Sequence, residues 1–265
     1  MPSLSNANLP ECAFEVCRDV SYSGIRFVSE WAVDIGTLAR HPHLSQQHHN
    51  PKANVKSGEE LTYLDSNVTD IIIDHGVDRR ELTELVLSGF QTLCKLEIGD
   101  ECFPRVDQLI LTGMHLLNSV IIGMNSFTKK KNGYGSDPNR HFYLKNCPKL
   151  MSLKMGRYSF SDYASAVIES NDALEVIEMG DLNEVSVNFA YASLELKSVL
   201  IHVEWWLDMP SLKSLKFGDY SFNDYTVCVI ENVDALEVIE MGDLNEVSRN
   251  FYYASLELRS IVISW

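Results

Sequence analysis

The string ALEVIEMGDLNEVS runs from Ala173 to Ser186 and returns unchanged from Ala235 to Ser248. Around it, residues 148–203 match residues 210–265 at 39 of 56 positions, with a constant offset of 62. A duplication of that length identifies a repeat protein, so the period has to be read before any single residue. Within the string, Leu174, Ile177 and Met179 are assigned to one face and Val176 and Glu178 to the other. That is the alternation of a short strand, whose successive side chains point to opposite sides.

Outward from the string, the same unit, L-x-x-Φ-x-Φ-G with Φ a large apolar residue, begins at Leu82, Leu93, Val106, Leu117, Leu150, Leu174, Leu196, Leu212, Leu236 and Leu258. One step of twenty-four positions leads from Leu82 to Val106, from Leu93 to Leu117, from Leu150 to Leu174 and from Leu212 to Leu236. The constant step predicts windings of that length stacked on one another. Eight of the 14 glycines (Gly89, Gly99, Gly113, Gly123, Gly156, Gly180, Gly218 and Gly242) close a unit. They are expected to supply positive φ where the chain turns. Phe103, Phe127, Phe160 and Phe222 recur ten residues after a unit start and predict a column of rings along the interior.

The stretch Asn146 to Phe160, NCPKLMSLKMGRYSF, and its counterpart Pro210 to Phe222 resemble the leucine-rich repeats of the BspA-like group. The resemblance covers about residues 61–265. It implies a mainly β repeat solenoid: a right-handed coil stack of short parallel strands with few helices, used for binding other macromolecules and carrying no catalytic activity. Residues 1–60 lack the period and predict an N-terminal arm or partial cap, with the solenoid over 61–265. In that arm Phe14, Val16, Ile25, Phe27, Val28 and Trp31 are candidate capping residues, because a terminal winding otherwise exposes its core.

Two irregularities interrupt the period. The step from Leu117 to Leu150 is longer by nine positions, which predicts a protruding loop around Lys129 to Asp137. The step from Leu196 to Leu212 is shorter by eight, which predicts a winding short of one strand around Trp205 and Trp206. The final Ile261-Val262-Ile263-Ser264-Trp265 is expected to be a strand with an open edge, and hence a site of self-association through the C-terminal coil.

Composition narrows the function. With 37 acidic against 22 basic residues, net charge −15, the chain lacks the clustered cations that nucleic acid or an anionic lipid surface requires. The apolar runs Ile71–Ile73 and Val120–Ile122 are far short of a membrane span, and the first residues carry no legible secretory signal, so a cytoplasmic location is expected, with cell surface or secretion as the alternative. The six cysteines have neither disulfide-framework nor zinc spacing and are expected as reduced thiols. His41, His43, His48 and His49 lie in an aperiodic polar segment and predict no metal site. Asn67-Val68-Thr69 fits a glycosylation acceptor, which is a chance match in a chain without a signal. No phosphate loop, dinucleotide fingerprint, zincin or nucleophile-elbow motif is present, and no cofactor is expected.

The acid-rich strands raise one chemical alternative, a polysaccharide-active pair of carboxylates. Stacking the windings aligns Lys154, Glu178, Leu200, Lys216, Glu240 and Val262 in one column, and Met151, Glu175, Lys197, Lys213, Glu237 and Arg259 in another. Carboxylates beside lysines form a charge ladder on a solvated face instead. The expected function is therefore a non-enzymatic scaffold that binds an unidentified protein, with a cell-surface adhesin or carbohydrate binder as the alternative. Candidate contact residues are Lys154, Glu178, Lys216 and Glu240 in the ladder, Trp205 and Trp206 in the short winding, and the basic island Lys129, Lys130, Lys131 and Tyr134 with Arg140 nearby.

Overall fold

Alternation along each short strand sends every second side chain inward, and the burial pattern follows it: in Lys95–Ile98, Ser119–Ile122 and Val176–Met179 the second and fourth residues are buried. The computed structural model describes residues 52–129, 136–181, 184–197, 211–222, 227–231, 235–242 and 255–259. Its strands are β1 (Lys52–Val55), β2 (Asp70–Ile73), β3 (Glu84–Val86), β4 (Lys95–Ile98), β5 (Gln108–Thr112), β6 (Ser119–Ile122), β7 (Asp137–Lys145), β8 (Ser152–Met155), β9 (Tyr163–Glu169), β10 (Val176–Met179), β11 (Ser193–Lys197), β12 (Ser214–Phe217), β13 (Val227–Glu231), β14 (Val238–Met241) and β15 (Ser255–Arg259). A 3-10 turn at Glu60–Tyr63 is the one helical element among the described residues.

The strands form two open sheets, ordered β1-β2-β4-β6-β8-β10-β12-β14 and β15-β13-β11-β9-β7-β5-β3. Every pairing in them is parallel. From β2 onward consecutive strands alternate between the sheets, so each winding gives one strand to each. The architecture is mainly β and repeat-like. Lys95 pairs with Ser119, Glu84 with Gln108, Ser152 with Val176 and Ser214 with Val238, all at the expected step of twenty-four. The eight-stranded sheet begins at Lys52, nine residues before the boundary read from the period. The arm and its candidate capping residues otherwise lie outside the described residues.

The register corrects the second half. Val176 pairs with Ser214, so Glu178 lies directly beside Lys216, with no Leu200 between them. The strand of that winding in the other sheet is β11, which ends at Lys197, whereas the unit beginning at Leu196 placed it later. In one sheet Ser152 pairs with Val176 and Val176 with Ser214, so two unequal steps carry Ser152 to its duplicate. In the other sheet Ala166 pairs with Leu194 and Leu194 with Cys228, so two differently unequal steps carry Ala166 to its duplicate. Both routes span the offset of the duplication. Residues 198–210, Val262 and the rest of the last five residues lie outside the described residues. Three strands of the seven-stranded sheet, β7, β9 and β13, carry no closing glycine and so escaped the motif.

The core is filled from both sheets. Leu96, Val120, Leu153, Ile177 and Leu215 form one inward row, and Leu109, Phe142, Ala166 and Leu194 face them from the other sheet, all fully buried. Full burial of a large aliphatic side chain contributes about 1.5–3 kcal/mol. The phenylalanine column exists and has five members. Phe127 and Phe160 stack at 4.8 Å, Phe160 and Phe189 at 5.1 Å, Phe189 and Phe222 at 5.5 Å, and Phe103 sits 5.6 Å from Phe127. Phe189 was hidden from the spacing because extra residues precede it in its winding.

The corners correct the expected role of glycine. Among the eight unit-closing glycines only Gly113, Gly180 and Gly242 have positive φ. At Gly123 a Cβ would lie 2.4 Å from the carbonyl carbon of Gly99, and at Gly156 it would lie 2.5 Å from the amide nitrogen of Met124. These residues are glycine because successive windings touch backbone to backbone there. Left-handed φ falls on side-chain-bearing residues further along the turn: Glu101 and Phe103, Asn125 and Phe127, Tyr158 and Phe160, Val187 and Phe189, Tyr220 and Phe222. Between the members of three such pairs sits a small polar residue that bonds back to the preceding winding. Ser126 Oγ donates to Gly99 O at 2.7 Å, Ser159 Oγ to Gly123 O at 2.6 Å, and Asn188 Nδ2 to Gly156 O at 2.8 Å.

Candidate interaction surface

Each sheet has one face on the core and one outside, and the outward rows differ. On the seven-stranded sheet the register aligns Val86, Ile110, Tyr143 and Val167, all half-buried, in one outward row. A polar row of Glu84, Gln108, His141 and Ser165 borders it on one side, and Thr112, Lys145 and Glu169 border it on the other. His141 Nδ1 is 2.8 Å from Ser165 Oγ, the His141 ring lies 5.9 Å from that of Tyr143, and Lys145 Nζ sits over the same tyrosine ring at 5.6 Å. Lys145 also pairs with Glu169 at 2.8 Å. Tyr143 is thus held from both sides in an apolar stripe with a polar rim, the composition of an interaction patch. The motif search passed over this stripe because it scored inward positions. Its signal was an apolar residue at the middle place of Leu85-Val86-Leu87, Leu109-Ile110-Leu111 and Phe142-Tyr143-Leu144.

The eight-stranded sheet carries the charge ladder. Lys154, Glu178, Lys216 and Glu240 follow one another in register on β8, β10, β12 and β14. Lys154 Nζ meets Glu178 Oε2 at 2.7 Å, and Lys216 Nζ meets Glu240 Oε2 at 2.9 Å. The bond to Glu240 raises the pKa of Lys216. Just ahead of the strands, Lys213 meets Glu175 at 3.2 Å. The four ladder candidates are therefore brought together and neutralise one another in pairs. Glu178 and Glu240 each bond a lysine on a solvated sheet face. The adjoining outward row is small: Ser152, Val176, Ser214 and Val238.

The basic island is reorganised. Arg140 is fully buried rather than exposed: Nη1 bonds Asp162 at 3.0 Å, and Nη2 donates to the carbonyls of Pro104, Val106 and Phe127 at 3.1, 2.8 and 3.1 Å. Its guanidinium lies 4.6 Å from the ring centre of Tyr163, whose hydroxyl donates to Val106 O at 2.7 Å. Burial pushes the Asp162 carboxyl above its ordinary range, while Arg140 pulls it down. Lys129 pairs with Asp107 at 2.8 Å. Asn139 N–H bonds Asp137, holding that carboxyl below its usual value. These contacts fasten both ends of the insertion to the neighbouring windings. Lys130, Lys131, Tyr134, Trp205, Trp206 and the four clustered histidines lie outside the described residues.

Among the described residues no helix is long and apolar enough to cross a membrane. Compared with protein-family models, curated proteins and solved structures, the chain matches none of them.

Proposed function

We propose that this chain is a non-enzymatic leucine-rich-repeat scaffold of the BspA-like kind, a right-handed solenoid that binds another protein through the outer face of its seven-stranded sheet. The parallel strands alternating between two sheets, at a recurring step of twenty-four, support the repeat reading. The single observation that carries the binding reading is the outward row Val86, Ile110, Tyr143 and Val167. Those side chains stand on strands whose opposite faces are fully buried, so little ordering entropy is lost when a partner docks. Specificity then resides in the rim, where His141, Ser165, Lys145 and Glu169 present hydrogen-bonding groups at strand spacing.

The test is affinity capture from the native cell with the wild-type chain, beside Tyr143→Glu and Ile110→Glu. Both substitutions point outward and leave the core intact. A protein retained by the wild type and lost from both variants, with unchanged circular dichroism, supports the reading. Equal retention by all three would move the binding surface elsewhere.

A further inference from the structure

The ladder on the eight-stranded sheet has a symmetry that follows from its register. Counting the residue just ahead of each strand, β10 presents Glu175 and Glu178, its neighbour β12 presents Lys213 and Lys216, β8 presents Lys154, and β14 presents Glu237 and Glu240. Charge alternates from strand to strand over an even number of strands. An even alternating series is its own complement when reversed. The small row Ser152, Val176, Ser214 and Val238 lies between the two charged rows and allows two such faces to approach closely.

We propose that this face is a two-fold contact between two copies of the chain, packed sheet to sheet about an axis parallel to the strands between β10 and β12. That axis keeps each row opposite itself while reversing strand order. Glu178 then faces Lys216 of the second copy, Glu175 faces Lys213, and Lys154 faces Glu240, each relation occurring twice as an isologous interface requires. In the small row Val176 faces Ser214 and Ser152 faces Val238. The other in-plane axis, perpendicular to the strands, sets every strand against its own copy and puts Glu178 on Glu178 and Lys216 on Lys216, which like-charge repulsion opposes. Electrostatics thus selects one arrangement. The four strands span roughly 250 Å² at spacings of about 4.8 Å between strands and about 3.3 Å along them. This is less than the roughly 800 Å² per partner of a standard interface, so the association is concentration-dependent and weakened by salt.

The test is sedimentation velocity on the full chain at low and at high salt, with charge swaps. Lys216→Glu alone places Glu178 opposite glutamate, and Glu178→Lys alone places Lys216 opposite lysine, so each variant is expected to be monomeric. Mixed together they restore both attractions, and a dimer of one copy of each is expected. A purely structural effect of the swaps does not produce dimerisation on mixing. A second measurement uses wild-type protein in case either variant fails to fold. Carbodiimide crosslinking of an equal mixture of ¹⁵N-labelled and unlabelled chain is expected to give Glu178–Lys216 and Glu175–Lys213 links that join a labelled to an unlabelled peptide. A monomer throughout, up to a few hundred micromolar at low salt, would overturn the proposal. So would a dimer indifferent to both swaps, or crosslinks confined to peptides of the same isotope.

Discussion

Phe127 and Phe160 lie face to face, 4.8 Å between ring centres and 1° from parallel, although a whole winding of chain separates them. Parallel strands set one winding per step, and a residue repeated at the same corner meets its own kind above and below. The column is therefore a direct readout of register. Phe160 contacts Phe127, Phe142, Tyr163 and Phe189 and is fully buried. Phe160→Ala is expected to cost about 3–5 kcal/mol, measured by urea unfolding, whereas Phe160→Leu costs clearly less.

The corner glycines separate into two kinds that one pair of variants distinguishes. Gly113 has φ of 68° with open space around its missing Cβ, so Gly113→Asn is expected to cost less than about 1 kcal/mol. Gly123 meets backbone of the neighbouring winding at 2.4 Å, so Gly123→Ala, a smaller change, is expected to cost about 1–3 kcal/mol. Chemical denaturation of both variants reads the difference.

Val187 is β-branched and held at φ of 48°, in the same corner place as Asn125. Left-handed backbone costs about 1–2 kcal/mol for an ordinary L residue and less for asparagine. Val187→Asn is therefore expected to stabilise the chain by roughly 0.5–1 kcal/mol, read as a rise in melting temperature. A fall would show that the side-chain contact outweighs the backbone term.

Arg140 and Asp162 are both buried, and removing the cation leaves a charged carboxylate in the interior. Arg140→Met is expected to cost about 3–5 kcal/mol at neutral pH. The Asp162 pKa already stands above its ordinary value in the folded chain and rises further in the variant. A folded state that binds the proton more readily than the unfolded chain gains stability as pH falls through the shifted value toward the ordinary one. The variant is thus expected to recover part of its loss on acidification, more than the wild type gains over the same range.

Cys102 and Cys147 are pushed up to about 11 by burial. Their contribution is complete below the ordinary thiol value and is lost as pH rises toward about 11. Iodoacetamide mapping of the native chain is expected to modify the half-buried Cys94 and to spare both buried thiols until the chain unfolds.

The sequence made legible whatever obeyed a local rule. Strands closing on glycine, from Leu93 to Leu236, carried their own period, and the inward phenylalanines followed at a constant distance. β7, β9 and β13 escaped because their alternation ends on Lys145, Glu169 and Glu231, where the chain turns without a closing glycine. The pairing of Glu178 with Lys216 required knowing that β11 belongs to the other sheet, a long-range fact that local spacing does not contain. The same holds for Arg140, whose basic neighbours suggested exposure while its partners Pro104, Val106, Phe127 and Asp162 come from distant windings. The apolar row through Tyr143 was present in the unit's middle position but was counted only as spacing between core residues.

The register of the stacked windings is tested most directly by zero-length carbodiimide crosslinking of the dilute wild-type chain, followed by peptide mapping. Lysine and carboxylate already in contact should join, giving Lys154–Glu178, Lys213–Glu175, Lys216–Glu240 and Lys145–Glu169 within one chain. Absence of these four links, together with joins between lysines and acids that the two ladders hold several strands apart, would contradict the fold and everything drawn from it.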